Sequence, residues 1–141
     1  MIQELMIINQ SGIALFYHNF INGDNLKDEQ SLASYFDIIC RFTKREFKEN
    51  LKMLTLDSFI FFFYTHRSGF HLVLKCDNKE INKKQLENFS ETMIDNFLVR
   101  YRAILKDFNG EISQFHSFSK DIMELLESKF DQFKRFLIIE N

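Results

Sequence analysis

Residues 58–65 read Ser-Phe-Ile-Phe-Phe-Phe-Tyr-Thr, with a large apolar or aromatic side chain at every position from 59 to 64. Successive side chains of a β-strand point to opposite faces of the sheet. The odd-numbered and even-numbered residues of this run would therefore lie on opposite faces, and both faces need cover from water. The stretch predicts a strand of a sheet that has helices packed on each side.

Further strand-like runs lie on both sides of this stretch. Leu51–Leu56 precedes it, and Phe70–Cys76 follows it across a tight turn at residues 66–69. Towards the N-terminus, Leu5–Ile8 and Ile13–Tyr17 are separated by a polar turn that ends in glycine, which is typical of a hairpin. The sequence therefore predicts five strands, two before and three after a longer intervening segment.

Helical patterns account for the remaining segments. A first helix is predicted from Glu29 to Glu49, with Asp28 as its N-cap. A second begins at Asn82, where Gln85 three residues later makes a capping-box-like start, and continues until Gly110. A third begins near residues 117–119 and has one apolar side, formed by Phe118, Ile122, Leu126, Phe130, Phe133 and Leu137.

The predicted order is β-β-α-β-β-β-α-α over one domain, residues 1–141. This order gives an α+β fold (an α/β/α sandwich) in which a five-stranded antiparallel sheet carries one helix on one face and two on the other. We find no internal repeat and no low-complexity segment in the sequence.

Composition excludes several classes of protein. The net charge is −2 with basic and acidic residues interleaved, which lacks the basic footprint of a nucleic-acid binder. The N-terminus opens into a strand pattern without the basic region and cleavage site of a signal peptide, and no apolar run reaches the ~20 residues of a transmembrane helix. We expect a cytoplasmic protein that meets membranes only through its partners.

No pattern indicates catalysis, a cofactor or a metal. The four histidines, His18, His66, His71 and His116, have no ligand spacing with each other or with the cysteines. The glycines form no phosphate-binding loop. Cys40 lies on the inner side of the first predicted helix, where a thiolate is costly. We expect no enzyme, no cofactor and buried thiols.

Two segments carry a resemblance to a known superfamily. Glu4–Ile13 resembles the opening hairpin of longins and of clathrin-adaptor small chains, and Arg67–Leu74 resembles the turn between their fourth and fifth strands. The order of elements also resembles the longin or SNARE-like fold over nearly the whole chain. Profilin-like and roadblock domains share most of this pattern, although roadblock proteins usually begin with a helix.

The resemblance implies a role in membrane traffic and small-GTPase control. Within these 141 residues no heptad-repeat segment follows the third predicted helix, so the SNARE version with its fusion role is not expected. What the resemblance implies instead is a free-standing longin subunit, a non-catalytic protein-interaction module that forms a homo- or heterodimer and scaffolds or regulates a small GTPase.

The first helix has more apolar surface than a single core contact needs. Tyr35, Ile38 and Phe42 widen its apolar arc to about 180°, beyond the roughly 100° of an ordinary surface helix. Arg41 and Arg45 lie beside them, and such mixtures of aromatic residues and arginine are enriched at interfaces. We predict that these five residues bind a partner. The rest of the arc is formed by Leu32, Phe36, Ile39 and Phe47.

Three alternatives stay open at this point. The loop at residues 20–27, or the apolar tail at residues 136–139, would cover the same helix surface if it folded over it. Arg67 at a hairpin tip is either a solvated turn residue or an arginine finger towards a nucleotide phosphate. The whole chain is alternatively a PAS- or GAF-like small-molecule sensor, which a polar cleft between the sheet and a helix would favour.

Overall fold

The structure is a computed structural model, and it describes residues 1–21, 29–77 and 82–133. The strands are β1 (Ile2–Ile8), β2 (Ala14–Asn19), β3 (Met53–Thr55), β4 (Phe59–Thr65) and β5 (His71–Asp77). The helices are α1 (Glu29–Phe47), α2 (Lys83–Arg100), α3 (Arg102–Lys106), α4 (Phe118–Ser128) and α5 (Phe130–Phe133). A 3₁₀ helix at Ile112–Phe115 lies between α3 and α4.

The strands form one five-stranded antiparallel sheet in the order β2-β1-β5-β4-β3. The two predicted hairpins are present, with Ile7 opposite Phe16 in one and Tyr64 opposite Leu72 in the other. The last strand of the chain, β5, lies at the centre between β1 and β4, and α1 connects β2 to the far edge of the sheet. The predicted α+β class and element order are confirmed, with α3, the 3₁₀ helix and α5 as additional short helices.

The two faces of the sheet carry separate apolar clusters. Ile60 and Phe62 of β4 belong to a cluster that contains the buried residues of α2 and α4. Phe63 belongs to a second cluster with Phe36 of α1, and Phe61 packs against this second cluster. The alternation along β4 thus places α1 on one face of the sheet and the pair α2 and α4 on the other, as the sequence predicts.

The second predicted helix begins as expected but is interrupted at Tyr101. The Asn82 side chain accepts a hydrogen bond from the backbone N–H of Gln85 at 3.1 Å, which confirms the predicted cap. Tyr101, with φ −109° and ψ 19°, separates α2 from α3, so the helix does not run unbroken to Gly110. A buried tyrosine hydroxyl needs a polar partner. The Tyr101 hydroxyl meets Ser117 Oγ at 2.8 Å, which fixes this residue where the chain turns.

The ends of the other elements differ from the predictions by a few residues. α1 ends at Phe47 because Lys48 adopts φ 59°, and β3 occupies only three residues of the predicted run. The last helix begins at Phe118, within the predicted range, but Lys129 separates α4 from α5. The N-cap at residue 28, the loop at 22–27, the tail at 136–139, Leu137 and the side chain of Phe130 lie outside what the structure describes.

Asn9 closes the β1–β2 turn from within. Its side-chain oxygen accepts hydrogen bonds from the backbone N–H groups of Ser11 and Ile13, each at 3.0 Å. Its own backbone N–H and carbonyl group bond to Ile13 and Gly12. Buried polar groups need hydrogen-bond partners. The buried Asn9 supplies them to the backbone of the turn.

The same turn is attached to α1 through Asp37. Gly12 adopts φ +82° and lies so close to α1 that an added Cβ would be 2.8 Å from the Asp37 carboxylate oxygen Oδ2. Arg41 donates from Nε to that carboxylate at 2.8 Å and also donates to the backbone carbonyl of Gln10. Helix α1 is therefore held to the turn by packing as well as by an ion pair.

We predict that Gly12→Ala lowers the free energy of unfolding more than Gly110→Ala does. Both glycines have positive φ, so either alanine costs about 1–2 kcal/mol of backbone strain. Only at Gly12 does the added methyl group also displace a carboxylate, whereas nothing lies within 4 Å of a Cβ at Gly110. Urea unfolding of both variants measures the difference, and equal losses would contradict the contact with Asp37.

Candidate protein-interaction surface

Helix α1 presents a second row of large apolar side chains on the face turned away from the sheet. Tyr35, Ile38 and Phe42, at positions i, i+3 and i+7, are 54%, 67% and 48% exposed. Phe36 and Cys40 on the opposite side of the same helix are buried. We call Tyr35, Ile38 and Phe42 the outer row. Within the described residues, the surface predicted from the sequence is therefore accessible, and its binding role stays a prediction.

Phe47 extends the outer row at the C-terminal end of α1. The sequence places it in the inner arc with Phe36, but its side chain is 66% exposed. The helix ends at this residue, and the ring of Phe47 turns towards Phe42, with 6.5 Å between their centroids. The guanidinium carbon of Arg45 lies 5.6 Å from the centroid of the Phe42 ring, close enough for a cation–π contact. This end of α1 is therefore an aromatic and cationic cluster.

Arg41 is placed differently from the rest of the predicted set. It lies on the flank of α1 that faces the β1–β2 turn and is bound there to Asp37 and Gln10. Arg45, in contrast, pairs with its neighbour Glu46 at 3.1 Å and is largely exposed. Arg45 is the arginine that accompanies the outer row, whereas Arg41 connects α1 to the turn.

An apolar groove continues from the outer row to the edge of the sheet. It has a volume of about 540 Å³, and its lining includes Tyr35, Leu56, Phe59 and Phe61. Lys75 closes one side, with its Nζ 4.3 Å from the centroid of the Phe59 ring. Leu56 of this groove directly follows the edge strand β3 in the chain. In the described residues, β3 pairs only with β4. An unpaired strand edge is a site for backbone hydrogen bonds to another chain.

At the other edge of the sheet, the first residue of β2 is bonded by a side chain that the sequence did not single out. Gln30 of α1 accepts a hydrogen bond from the backbone N–H of Ala14 at 3.0 Å and donates to its carbonyl oxygen at 2.9 Å. This pair of bonds imitates a neighbouring strand at the start of β2. No sequence signal distinguishes Gln30 from any other polar residue in the first turn of a helix.

The two cysteines are buried, and the Nδ1 atoms of His18 and His71 each meet a hydroxyl oxygen, Ser119 Oγ at 3.0 Å and Thr65 Oγ1 at 3.1 Å. Cys40 and Cys76 are free and buried on opposite faces of the sheet. Burial raises the pKa of Cys40 to about 12 and that of Cys76 to about 11, which disfavours the thiolate. Burial also lowers the pKa of His18 and of His71. Among the described residues, no group of three or more acidic, histidine or cysteine side chains is placed to hold a metal ion.

Comparison with solved structures identifies the fold. A Roadblock/LC7 domain from Streptomyces avermitilis is similar with a TM-score of 0.53 and 14% identity, over 72% of this chain and 86% of that one. The gliding protein MglB from Thermus thermophilus is similar with a TM-score of 0.51 and 14% identity, over 62% of this chain and 70% of that one. These neighbours support the longin-like group of folds, and the particular relation to adaptor subunits stays a prediction.

Sequence comparisons add no family. No family model matches the chain, and no curated protein matches it. In the described ranges, none of the helices has the length and apolar character needed to cross a bilayer.

We predict that both thiols of the native protein react with a disulfide reagent such as DTNB on the order of a hundredfold more slowly than in denaturant. The attacking species is the thiolate, which burial makes scarce at neutral pH. The rate of thionitrobenzoate release measures the difference, and Cys40→Ala and Cys76→Ala assign the phases. A fast phase in the native protein that disappears in Cys40→Ala would mark a reactive thiol and contradict this interpretation.

Proposed function

We propose that this chain is a non-catalytic protein-interaction module that dimerises and scaffolds or regulates a small GTPase in a system akin to membrane traffic. The outer row of α1 and Arg45 form the centre of its interface. Arg41 lies at the margin, where it also holds α1 against the β1–β2 turn.

The observation that carries the proposal is the exposure of the outer row. Tyr35, Ile38 and Phe42 lie on the face of α1 opposite the core, and each is about half or more exposed. Neighbouring apolar side chains on the surface of a globular protein mark sites of association. Aromatic residues and arginine are also the types that dominate binding energy at interfaces. A helix that needed only its core contact would carry polar residues at these positions.

The sheet edge supports dimerisation by the same region. The groove beside Tyr35 is lined by residues of β4 and by Leu56, which follows the edge strand β3. One partner can therefore contact the outer row and pair with β3 at the same time. A second copy of the chain would do so twice about a two-fold axis, since each copy offers the same helix and the same edge.

The GTPase part of the proposal is supported by the longin resemblance. That resemblance is carried by Glu4–Ile13 and Arg67–Leu74, which in the structure cover the end of β1 with the β1–β2 turn and part of the β4–β5 turn with the start of β5. The fold likeness to the Roadblock/LC7 domain and to the gliding protein MglB agrees with it at the level of architecture.

A small-molecule sensor is the second candidate, and one groove favours it. This groove has a volume of about 490 Å³ and lies between the second half of α1 and the β4–β5 turn, with Asp37, Arg41 and His71 in its lining. It lies outside the apolar cluster that fills the space between α1 and the sheet, where the rings of Phe36 and Phe63 pack 5.2 Å apart. We favour the interaction module because the interior on this face is filled.

We predict that Ile38→Glu weakens self-association of the chain by about thirtyfold or more, because it places a charge at the centre of an apolar interface. Tyr35→Ser and Phe42→Ser should act in the same direction. Sedimentation equilibrium measures the dissociation constant. Met123→Glu is the matched control, since Met123 is similarly exposed on α4, far from the outer row in sequence.

Two results would contradict the homodimer. Wild-type protein that stays monomeric at high concentration would exclude self-association, and equal effects of Ile38→Glu and Met123→Glu would exclude the outer row as its surface. In the first case the remaining hypothesis is a heterodimer. Capture of partners from an extract tests it with the same variants.

We predict that the immobilised chain retains a small GTPase from an extract of its source cells, and that Ile38→Glu loses it while Met123→Glu does not. The extract is supplemented in parallel with GDP and with a non-hydrolysable GTP analogue, because a regulator distinguishes the two states. Mass spectrometry identifies the retained proteins. If the outer row retains other proteins but no GTPase in either nucleotide state, the result would support the interaction module and contradict its role in GTPase regulation.

A further inference from the structure

Two open grooves meet at the end of the sheet where the β1–β2 and β4–β5 turns lie side by side. The larger, of about 900 Å³, lies between these turns and the α2–α3 segment. The smaller, of about 490 Å³, lies between the β4–β5 turn and α1. Gln10, His66 and Arg67 line both grooves and therefore lie between them. We call these three residues and the two grooves the hairpin end.

The two turns are in direct contact and are held in place. Gly69 has φ +93°, and a Cβ added there would approach the Cβ of Gln10 to 3.2 Å. The backbone carbonyl of Gln10 accepts a hydrogen bond from Arg41 of α1. The side chains of His66 and Ser68 meet at 2.7 Å within the second turn. A surface that is ordered before binding loses less entropy on binding.

Basic side chains accumulate at the hairpin end, although the chain as a whole has 18 basic and 20 acidic residues. The acidic residues in the lining of the two grooves are Asp37, which is paired with Arg41, and Asp95, which faces His66 at 3.5 Å. The basic residues in the lining are Arg41, Lys44, Arg67, Arg102 and Lys106. In the part of the chain that the structure describes, the last four of these form no ion pair.

Arg102 and Lys106 bring two positive charges close together in the larger groove. They lie four residues apart on α3 and line the same groove. Like charges at this spacing repel each other and destabilise a helix. α3 begins directly after the interruption at Tyr101, and both cations line the groove that Arg67 also lines. An anionic group in the larger groove would relieve the repulsion.

Most backbone N–H groups of the two turns are already bonded within the turns. The N–H groups of residues 11–13 are bonded to Asn9, and those of residues 68 and 69 are bonded to His66. A phosphate-binding loop needs free N–H groups that converge on the ligand. Anion recognition at the hairpin end therefore depends on the long basic side chains, which suit charges that are spread along a chain.

The larger groove also has an apolar component. Phe70 is buried at its base, and Leu98, Leu105 and Phe108 are partly buried along it. Val99 on α2 is exposed at its margin. The groove can therefore take apolar side chains between the basic residues.

We propose that the hairpin end binds an acidic segment of a partner protein in which carboxylates alternate with apolar side chains. The carboxylates pair with Arg67, Arg102 and Lys106, and the apolar side chains occupy the groove over Phe70. Arg67 is the central contact because it lies between the two grooves. This assigns the hairpin arginine a binding role without any nucleotide.

Shape and charge together favour a protein segment over other anions. The phosphates of a free nucleotide would find no loop of converging free backbone N–H groups at the hairpin end. A lipid surface is flat, whereas the basic residues line two concave grooves. The inference does not rest on the proposed function, since Tyr35, Ile38 and Phe42 of the outer row line neither groove and Arg67, Arg102 and Lys106 are not part of the proposed interface.

The test is fluorescence anisotropy of the full chain with a labelled synthetic peptide that alternates glutamate and leucine. We expect saturable binding that weakens with salt, because exposed charges are screened. Arg67→Ala combined with Arg102→Ala should weaken it roughly tenfold, from the loss of two surface ion pairs. Lys120→Ala combined with Lys129→Ala is the matched control, since both lysines are exposed on or beside α4 and line neither groove.

Further arms separate the components of the site. A peptide with serine in place of leucine should bind more weakly, and a peptide with lysine in place of glutamate should not bind. Ile38→Glu in the outer row should leave peptide binding unchanged, so a failure here is distinguishable from a failure of the proposed dimer. Circular dichroism and the melting temperature of each variant confirm that it is folded.

Three results would overturn the proposal. The first is no binding of the glutamate and leucine peptide, and the second is binding that both double variants weaken equally. The third is tighter binding of phosphatidylserine vesicles or of inorganic phosphate that depends on Arg67 and Arg102, which would assign the surface to a lipid headgroup or to a free anion.

Discussion

The requirement to cover both faces of β4 determines the rest of this structure. Each residue from Phe59 to Tyr64 presents a large side chain, and the strand lies one position from the edge of the sheet, so neither face can be left to water. The chain meets this requirement by crossing the sheet once with α1 and returning over the other face with α2 and α4. The two separate apolar clusters follow from that arrangement.

Helix α1 carries large apolar side chains on two sides, one facing the sheet and one facing outward. It is the one described helix on its side of the sheet, and it buries Ala33, Phe36 and Cys40 there. Its outward face nevertheless carries three further large apolar side chains, which this core does not use. Exposed apolar area on a helix that lies beside an open strand edge is a reason to place a partner there. The solved structures of similar fold show the architecture alone, and this exposed surface is what favours a partner.

The sequence predicted the elements that depend on local pattern and missed those that depend on distant contacts. The strand alternation, the hairpin turns and the Asn82 cap are set by residues within a few positions of each other, and these predictions are confirmed. The hydroxyl of Tyr101, at the interruption between α2 and α3, meets Ser117, sixteen positions later, and the backbone of Ala14 at the start of β2 is bonded by Gln30, also sixteen positions later. The accessible outer row followed from the width of the apolar arc, but the exposure of Phe47 depends on where the helix ends.

The two candidate surfaces are connected through a single helix. Arg41 lies on the flank of α1 between the outer row and the hairpin end, and its ion pair with Asp37 holds the helix against the β1–β2 turn. The contact between Gly12 and Asp37 leaves little room for α1 to shift relative to that turn. A partner on the outer row and a segment in the grooves would therefore act on one rigid unit. Asp37 and Arg41 are the described side chains through which the second half of α1 contacts the β1–β2 turn, so a change in their ion pair would affect both surfaces.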